Sequence, residues 1–121
     1  GFAGRVTLAG YLIMNTDVRA GQDWNILLYW RAEQQLNYNY HVSVQVLSPD
    51  EQKVGQLDEE PLGDALPMTR WEPGRVYLEP MRVLINPNTA PGEYSVQVII
   101  YNPVNGERLG EPLTLDKIVV K

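Results

Sequence analysis

A Pro-Gly turn followed by a strongly alternating segment constrains the fold of this chain more than any other feature. After Pro91-Gly92, one set of side chains is Tyr94, Val96, Val98 and Ile100, and the interleaved set is Ser95, Gln97, Ile99 and Tyr101. Alternation with a period of two, directly behind a turn, predicts a β-strand. We therefore expect residues 92–101 to form a central strand of a sheet.

Further strands follow from the same alternation between turns. We predict them over residues 5–14, 24–31, 38–48, 53–57, 75–85 and 114–120. The 38–48 segment is expected to pair with residues 92–101, pointing Tyr40, Val42, Val44 and Val46 inward. Residues 24–31 are apolar on both faces, which predicts a strand inside its sheet.

Two of the predicted strands carry a specific expectation about their faces. In residues 5–14, Val6, Leu8, Gly10, Leu12 and Met14 share one face. In residues 75–85, the apolar phase changes at Pro80, from Val76 and Leu78 to Met81, Val83 and Ile85. A proline with a phase change predicts a bulge or an edge position.

The predicted elements define the fold class. Seven or eight short strands, no helix of useful length and no repeat indicate an all-β protein with two antiparallel sheets packed as a sandwich. The 121 residues suit one domain, 1–121, and contain no cysteine. A chain of this length buries enough surface to fold without disulfide or metal.

The net charge and the lack of a long apolar segment argue against several classes of binding partner. The net charge of −5 argues against nucleic acid and anionic membrane surfaces. No apolar run approaches the ~20 residues of a membrane helix, so we expect no direct membrane insertion by this domain. The chain begins Gly1-Phe2-Ala3-Gly4 without an initiator Met, and we interpret it as a domain excised from a longer protein.

The order of aromatic residues and turns resembles that of fibronectin type III and other immunoglobulin-like domains. Trp30 ends the second strand, Tyr40 opens the inward run of the next, and Pro91-Gly92-x-Tyr94 introduces a central strand. Tyr94 matches the tyrosine corner of such domains. The resemblance implies that the Tyr94 ring is buried and that its hydroxyl bonds to backbone near residues 86–90.

A narrower resemblance covers about residues 21–109. It is carried by the strings Leu28-Tyr29-Trp30, Gln56-Leu57-Asp58, Trp71-Glu72-Pro73-Gly74, Pro91-Gly92-Glu93-Tyr94, Tyr101-Asn102-Pro103 and Gly106-Glu107-Arg108-Leu109. These strings resemble the small β-sandwich domains appended to bacterial multi-pass membrane proteins of the glycosyltransferase type. The resemblance implies an extracytoplasmic location and no catalytic residue. The chain departs from those domains at Pro80, where they more often carry an aspartate.

No residue pattern indicates catalysis, a metal or a cofactor. His41 is the only histidine and has no suitably spaced nucleophile for a triad. The acidic residues Asp58, Glu59, Glu60 and Asp64 offer oxygen ligands for Ca²⁺. They lack the alternating spacing of a calcium loop and are interrupted by Pro61, so a solvated loop is favoured. We predict that the domain is not an enzyme.

Two surfaces are candidates for a partner. The outward face of the paired central strands mixes polar and apolar side chains, including His41, Gln45, Gln97 and Ile99. Such a surface suits docking against a neighbouring domain or a second copy. The alternative is an ordinary amphipathic sheet face. Trp71, Tyr77 and Tyr101 suit a carbohydrate-binding platform if exposed. For Trp71 a plug at one end of the core is the favoured alternative. We prefer a non-catalytic accessory domain, with a carbohydrate-binding module as the alternative.

Overall fold

The computed structural model describes residues 1–121 as a sandwich of two β-sheets. The strands are β1 (Val6–Ile13), β2 (Asp17–Val18), β3 (Asp23–Ala32), β4 (His41–Leu47), β5 (Lys53–Glu59), β6 (Val76–Leu84), β7 (Gly92–Tyr101), β8 (Leu113–Thr114) and β9 (Ile118–Val120). One sheet has the order β1-β3-β6 and the other β2-β9-β7-β4-β5, with β8 also paired to β7. All pairings are antiparallel except the short parallel contact of β2 with β9. The predicted fold class is confirmed.

The core lies between the two sheets. Its 27 buried apolar residues form one cluster. From β3, the inward side chains are Trp24, Ile26, Leu28 and Trp30, each at most 1% exposed. As predicted, β3 is the central strand of its sheet and β4 pairs with β7.

The tyrosine corner forms at the start of β7. Gly92 adopts a φ of 154°, which a side chain rarely tolerates, and Tyr94 follows at 7% exposure. The Tyr94 hydroxyl donates a hydrogen bond of 2.5 Å to the carbonyl oxygen of Ala90. The expectation for Tyr94 is confirmed, and the bond fixes the loop before β7 to the core.

Strand β1 departs from its predicted faces. The register against β3 shifts between Leu8 and Gly10, so one extra residue reverses the alternation. Tyr11 and Ile13 pack against the core after this bulge, while Leu12 and Met14 are 49% and 60% exposed. The prediction that Leu12 and Met14 share one face with Val6 is wrong.

Strand β6 also departs from prediction, because no phase change occurs at Pro80. The pairing with β3 runs without interruption from Leu84 to Val76. Tyr77, at 7% exposure, therefore points inward, and the assignment of Val76 and Leu78 to the inward face is wrong. The edge position of β6 is confirmed. On an edge strand, a proline whose nitrogen points away from the neighbouring strand removes no hydrogen bond between the two strands. Pro80 therefore requires no bulge.

The connection from β5 to β6 closes one end of the core. It contains two short 3-10 turns, Gly63–Ala65 and Met68–Arg70, followed by Trp71. None of the helical segments has the length and apolar character needed to cross a membrane.

Candidate functional site

The outward side chains of β5, β4 and β7 assemble a surface that we call the polar face. It consists of Gln56 and Asp58 from β5, His41, Ser43 and Gln45 from β4, and Gln97, Ile99 and Tyr101 from β7. The strand register places Gln45 between Gln56 and Gln97. Five of the seven residues predicted for a partner surface, His41, Gln45, Gln97, Ile99 and Tyr101, thus lie together.

A chain of side-chain hydrogen bonds crosses the polar face. The Gln97 amide donates to Gln45 Oε1 at 3.0 Å, and the Gln45 amide donates to Ser43 Oγ at 3.1 Å. The Gln56 amide donates to Asp58 Oδ2 at 2.7 Å and to Ser43 Oγ at 3.5 Å. Because each amide is held by its neighbour across the strands, the face is ordered without a partner.

A groove of about 300 Å³ lies on the polar face, under the hairpin that follows β7. Ser43 and Gln45 line it at 1% and 6% exposure. Arg108, held by a bridge to Tyr101, lines its rim and takes part in none of the chain's ion pairs. The His41 ring meets the edge of the Tyr101 ring at 5.9 Å.

The Tyr101 hydroxyl lies against a carboxylate in this groove. Burial raises the pKa of Tyr101, and the charge and hydrogen-bonding of Asp58 raise it further. Tyr101 therefore keeps its proton and can donate it toward Asp58. The groove combines a phenol, a carboxylate, amides and a guanidinium.

Trp71 and Tyr77 do not belong to this surface, and their prediction as exposed platforms is wrong. Trp71 is fully buried and Tyr77 is 7% exposed. Their rings stack at 4.9 Å with an interplanar angle of 19°, and Trp71 Nε1 donates to the carbonyl oxygen of Leu66 at 3.0 Å. The favoured alternative for Trp71, a residue of the core end, is confirmed. Tyr77 was misassigned because the inward phase of β6 was misplaced.

A second surface was missed by sequence reasoning. The outer side of β1-β3-β6, which we call the apolar face, holds five of the six large hydrophobic side chains that are strongly exposed: Leu12, Met14, Val76, Leu78 and Leu84, at 46–60%. A cleft of about 600 Å³ opens beside it, lined by residues including Leu27, Leu57 and Pro80. Leu84 already alternates with the predicted inward residues Val83 and Ile85, whereas the bulge in β1 and the unbroken phase of β6 turn Leu12, Met14, Val76 and Leu78 outward against the predicted phases.

Sequence reasoning also missed a buried carboxyl group. Glu79 points into the core from β6 and is 1% exposed. Trp30 Nε1 donates to Glu79 Oε1 at 2.8 Å, whereas Oε2 has no donor. Burial and, to a lesser extent, the adjacent Glu59 carboxyl group together raise the pKa of Glu79 to about 8. At neutral pH Glu79 is therefore mostly protonated and can share its proton with Glu59.

The predicted acidic group is divided by the fold. Asp58 points outward to the polar face, Glu59 contacts the buried Glu79, and Asp64 lies in a 3-10 turn. The alternation of β5 sends Asp58 and Glu59 to opposite faces. No group of three or more histidine, cysteine or acidic residues is placed to hold a metal ion.

Comparison with known proteins relates the chain to others through its fold. No protein-family model matches the sequence, and no curated protein matches it. A Niemann-Pick type C2 protein from the Japanese carpenter ant superposes with a TM-score of 0.66 at 7% identity, over 98% of this chain and 95% of that one.

A second solved structure is the alkylpurine DNA glycosylase AlkC of Pseudomonas fluorescens, bound to DNA containing an abasic site analog. It superposes with a TM-score of 0.55 at 14% identity over 98% of this chain, which corresponds to 31% of the glycosylase chain. At such identities the likeness concerns architecture alone. The comparisons show an immunoglobulin-like β-sandwich.

Proposed function

We propose that this chain is a non-catalytic accessory domain that docks through its apolar face against a neighbouring domain of a larger polypeptide. One observation carries the proposal. Leu12, Met14, Val76, Leu78 and Leu84 are all strongly exposed on one side of one sheet. Scattered exposed hydrophobic residues are normal, but their concentration on one face is typical of an interaction surface.

The size of the apolar face favours a tethered neighbour over a second copy. Three strands of eight to ten residues span about 14 Å by 30 Å at the usual strand spacing and rise, or about 400 Å². A stable complex between separate proteins buries about 800 Å² on each partner. Interfaces between domains of one chain are effective at smaller areas, because the linker supplies a high local concentration.

The charges on the apolar face suit an uncharged partner surface. Arg82 lies 3.9 Å from Asp23, and Arg31 lies 2.7 Å from Glu33. Each arginine therefore has an acidic neighbour, while the middle of the face is occupied by side chains such as Leu78. Depletion of charge in the middle with polar groups at the rim is the usual anatomy of an interface. The adjacent cleft offers space for an inserted side chain.

The resemblance to domains appended to multi-pass membrane proteins supports a parent of the glycosyltransferase type. In this proposal the parent is bacterial and membrane-anchored, and the domain lies on the extracytoplasmic side. The supporting residues are the turn strings, among them Trp71-Glu72-Pro73-Gly74 and Pro91-Gly92-Glu93-Tyr94. The membrane-spanning part belongs to other regions of that parent.

The strongly perturbed carboxyl group supports a structural role instead of catalysis. Glu79 has the raised pKa often found in active sites. Its side chain is enclosed in the core and bonded to Trp30, so no substrate reaches it. Glu79 is therefore assigned to the packing of the core, while Glu59 lies between Glu79 and the adjacent cleft.

The test compares the isolated domain with the same domain joined to its native neighbours. We expect solution scattering to show a monomer alone and a fixed compact arrangement in the longer polypeptide. Hydrogen exchange of β6 should slow when the neighbours are present, because the apolar face is then covered. Leu78→Asp should release the domain from that arrangement.

Val104→Asp provides a matched control, because Val104 is 84% exposed and lies on the hairpin after β7. This control should leave docking unchanged. Independent tumbling of the domain in the longer polypeptide would refute the docking proposal. If the isolated domain forms a dimer and Leu78→Asp dissociates it, the partner of the apolar face is a second copy of the chain and not a neighbouring domain.

A further inference from the structure

We propose that the groove on the polar face binds a neutral, hydroxyl-rich ligand, namely a short carbohydrate. The groove lies on the outer side of the sheet opposite to the apolar face. The two surfaces are therefore available at the same time. This proposal does not depend on docking, and a domain with both surfaces would present a sugar site away from the neighbour that holds it.

The floor of the groove is fixed before any ligand arrives. Ser43 and Gln45 are 1% and 6% exposed and are bonded to each other at 3.1 Å. Gln45 is held on its other side by Gln97 at 3.0 Å. The floor therefore needs no reordering when a ligand binds the more exposed groups above it, which lowers the entropic cost of binding.

The charges and hydrogen-bonding groups of the groove select for hydroxyls. Asp58 accepts, Arg108 donates, and the Gln56 amide does both. One carboxylate and one guanidinium leave no net charge, which disfavours phosphate or other strongly anionic ligands. A sugar hydroxyl both donates and accepts, so adjacent hydroxyls can satisfy groups of opposite character at close spacing.

An apolar strip borders these polar groups. It consists of the half-buried Tyr101 ring, with the His41 ring against its edge, while Ile99 at 4% exposure supports the strip from below the surface. The C–H face of a pyranose packs on such a surface while its hydroxyls reach the amides. The volume of about 300 Å³ lies at the lower end of the range for ligand sites, which suits one or two sugar units.

The proposal is tested by nuclear magnetic resonance on the ¹⁵N-labelled 121-residue chain, which carries its own core. The probes are gluco-, manno-, galacto- and N-acetylglucosamine oligosaccharides at millimolar concentration. We expect one of these classes to shift the side-chain amide signals of Gln45 and Gln56 together with backbone signals of β4 and β7. Gln56→Ala and Arg108→Ala should each weaken that binding about tenfold, because each removes a hydrogen-bonding partner.

Gln52→Ala is the matched control, since Gln52 is exposed on the turn before β5 and its side chain makes no hydrogen bond. This variant should bind as the unmodified chain does. The absence of shifts with all four classes would overturn the proposal. Shifts confined to the apolar face, or binding unaffected by both groove variants, would overturn it as well.

Discussion

Replacing Glu79 by glutamine should remove a pH dependence of stability that the unmodified chain carries between about pH 5 and pH 8. Glutamine has the shape of the protonated acid. Its carbonyl oxygen can accept the Trp30 Nε1–H as Glu79 Oε1 does. Its amide nitrogen takes the place of Oε2, which has no hydrogen-bond partner, and can donate to Glu59.

The direction of the pH dependence follows from the raised pKa. Glu79 titrates at about 8 in the folded chain, against a reference value of 4.5. Its stabilising contribution is therefore complete below about pH 4.5 and is lost as the pH rises through about 8, because ionisation is then easier in the unfolded chain. The slope should approach about 1.4 kcal/mol per pH unit, and the full shift corresponds to about 5 kcal/mol.

Equilibrium urea unfolding, followed by tryptophan fluorescence at a series of pH values, measures this effect. The signal change should be large, because Trp24, Trp30 and Trp71 are fully buried. For the unmodified chain we expect the free energy of unfolding to fall across the window. For Glu79→Gln we expect a nearly flat profile and, at pH 8, a stability several kcal/mol above that of the unmodified chain.

Two further variants test whether the pH dependence of stability comes from the Glu79–Glu59 pair or from another titratable group. Glu59→Gln should end the loss of stability at a lower pH and make the total loss smaller, because the neighbouring group that raises the folded-state Glu79 pKa is removed. His41→Gln, which replaces the only histidine, should keep the slope. A flat profile in the unmodified chain, or an unchanged slope in Glu79→Gln, would refute the assignment of a protonated buried glutamic acid.

Three stability predictions are measured by the same unfolding assay at fixed pH. Tyr94→Phe should cost on the order of 1 kcal/mol, since it removes the bond to Ala90; an unchanged stability would contradict the role of that bond. Trp71→Ala should cost about 3–5 kcal/mol through loss of a fully buried ring, and a loss below about 1 kcal/mol would show that this end of the core collapses freely. Gly55→Ala should cost about 1–3 kcal/mol, because a Cβ there lies 3.0 Å from the carbonyl oxygen of Leu84; a neutral effect would mean that β5 can move away from β6.

Local features of the sequence were sufficient for much of the fold. The apolar character of both faces of residues 24–31 predicts a central strand, and the structure has one. The Pro91-Gly92-x-Tyr94 pattern predicts the bond that Tyr94 makes four residues away. These features are predictable because they depend on neighbouring residues along the chain.

The candidate surfaces were less predictable, because they depend on pairing between distant segments. Gln45 and Gln97 are hydrogen-bonded although they are 52 positions apart in the sequence. The alternation within each strand therefore predicts the polar face, but it does not predict the hydrogen bonds between its side chains. The exposure of Leu12 depends on the bulge against β3. The exposure of Leu78 depends on the edge position of β6, which allows Pro80 without a bulge.

The sequence by itself determined that this chain forms an all-β sandwich with a tyrosine corner at Tyr94, because turns and a period of two are local properties. Only the tertiary structure decided which side of β1 and of β6 meets the core. A single bulge in β1 and an uninterrupted β6 turned a set of apolar side chains to the surface, while Glu79 turned inward to Trp30, 49 positions away. The physical reason is that alternation defines two faces of a strand, whereas the neighbouring strands and the opposite sheet determine which face is buried.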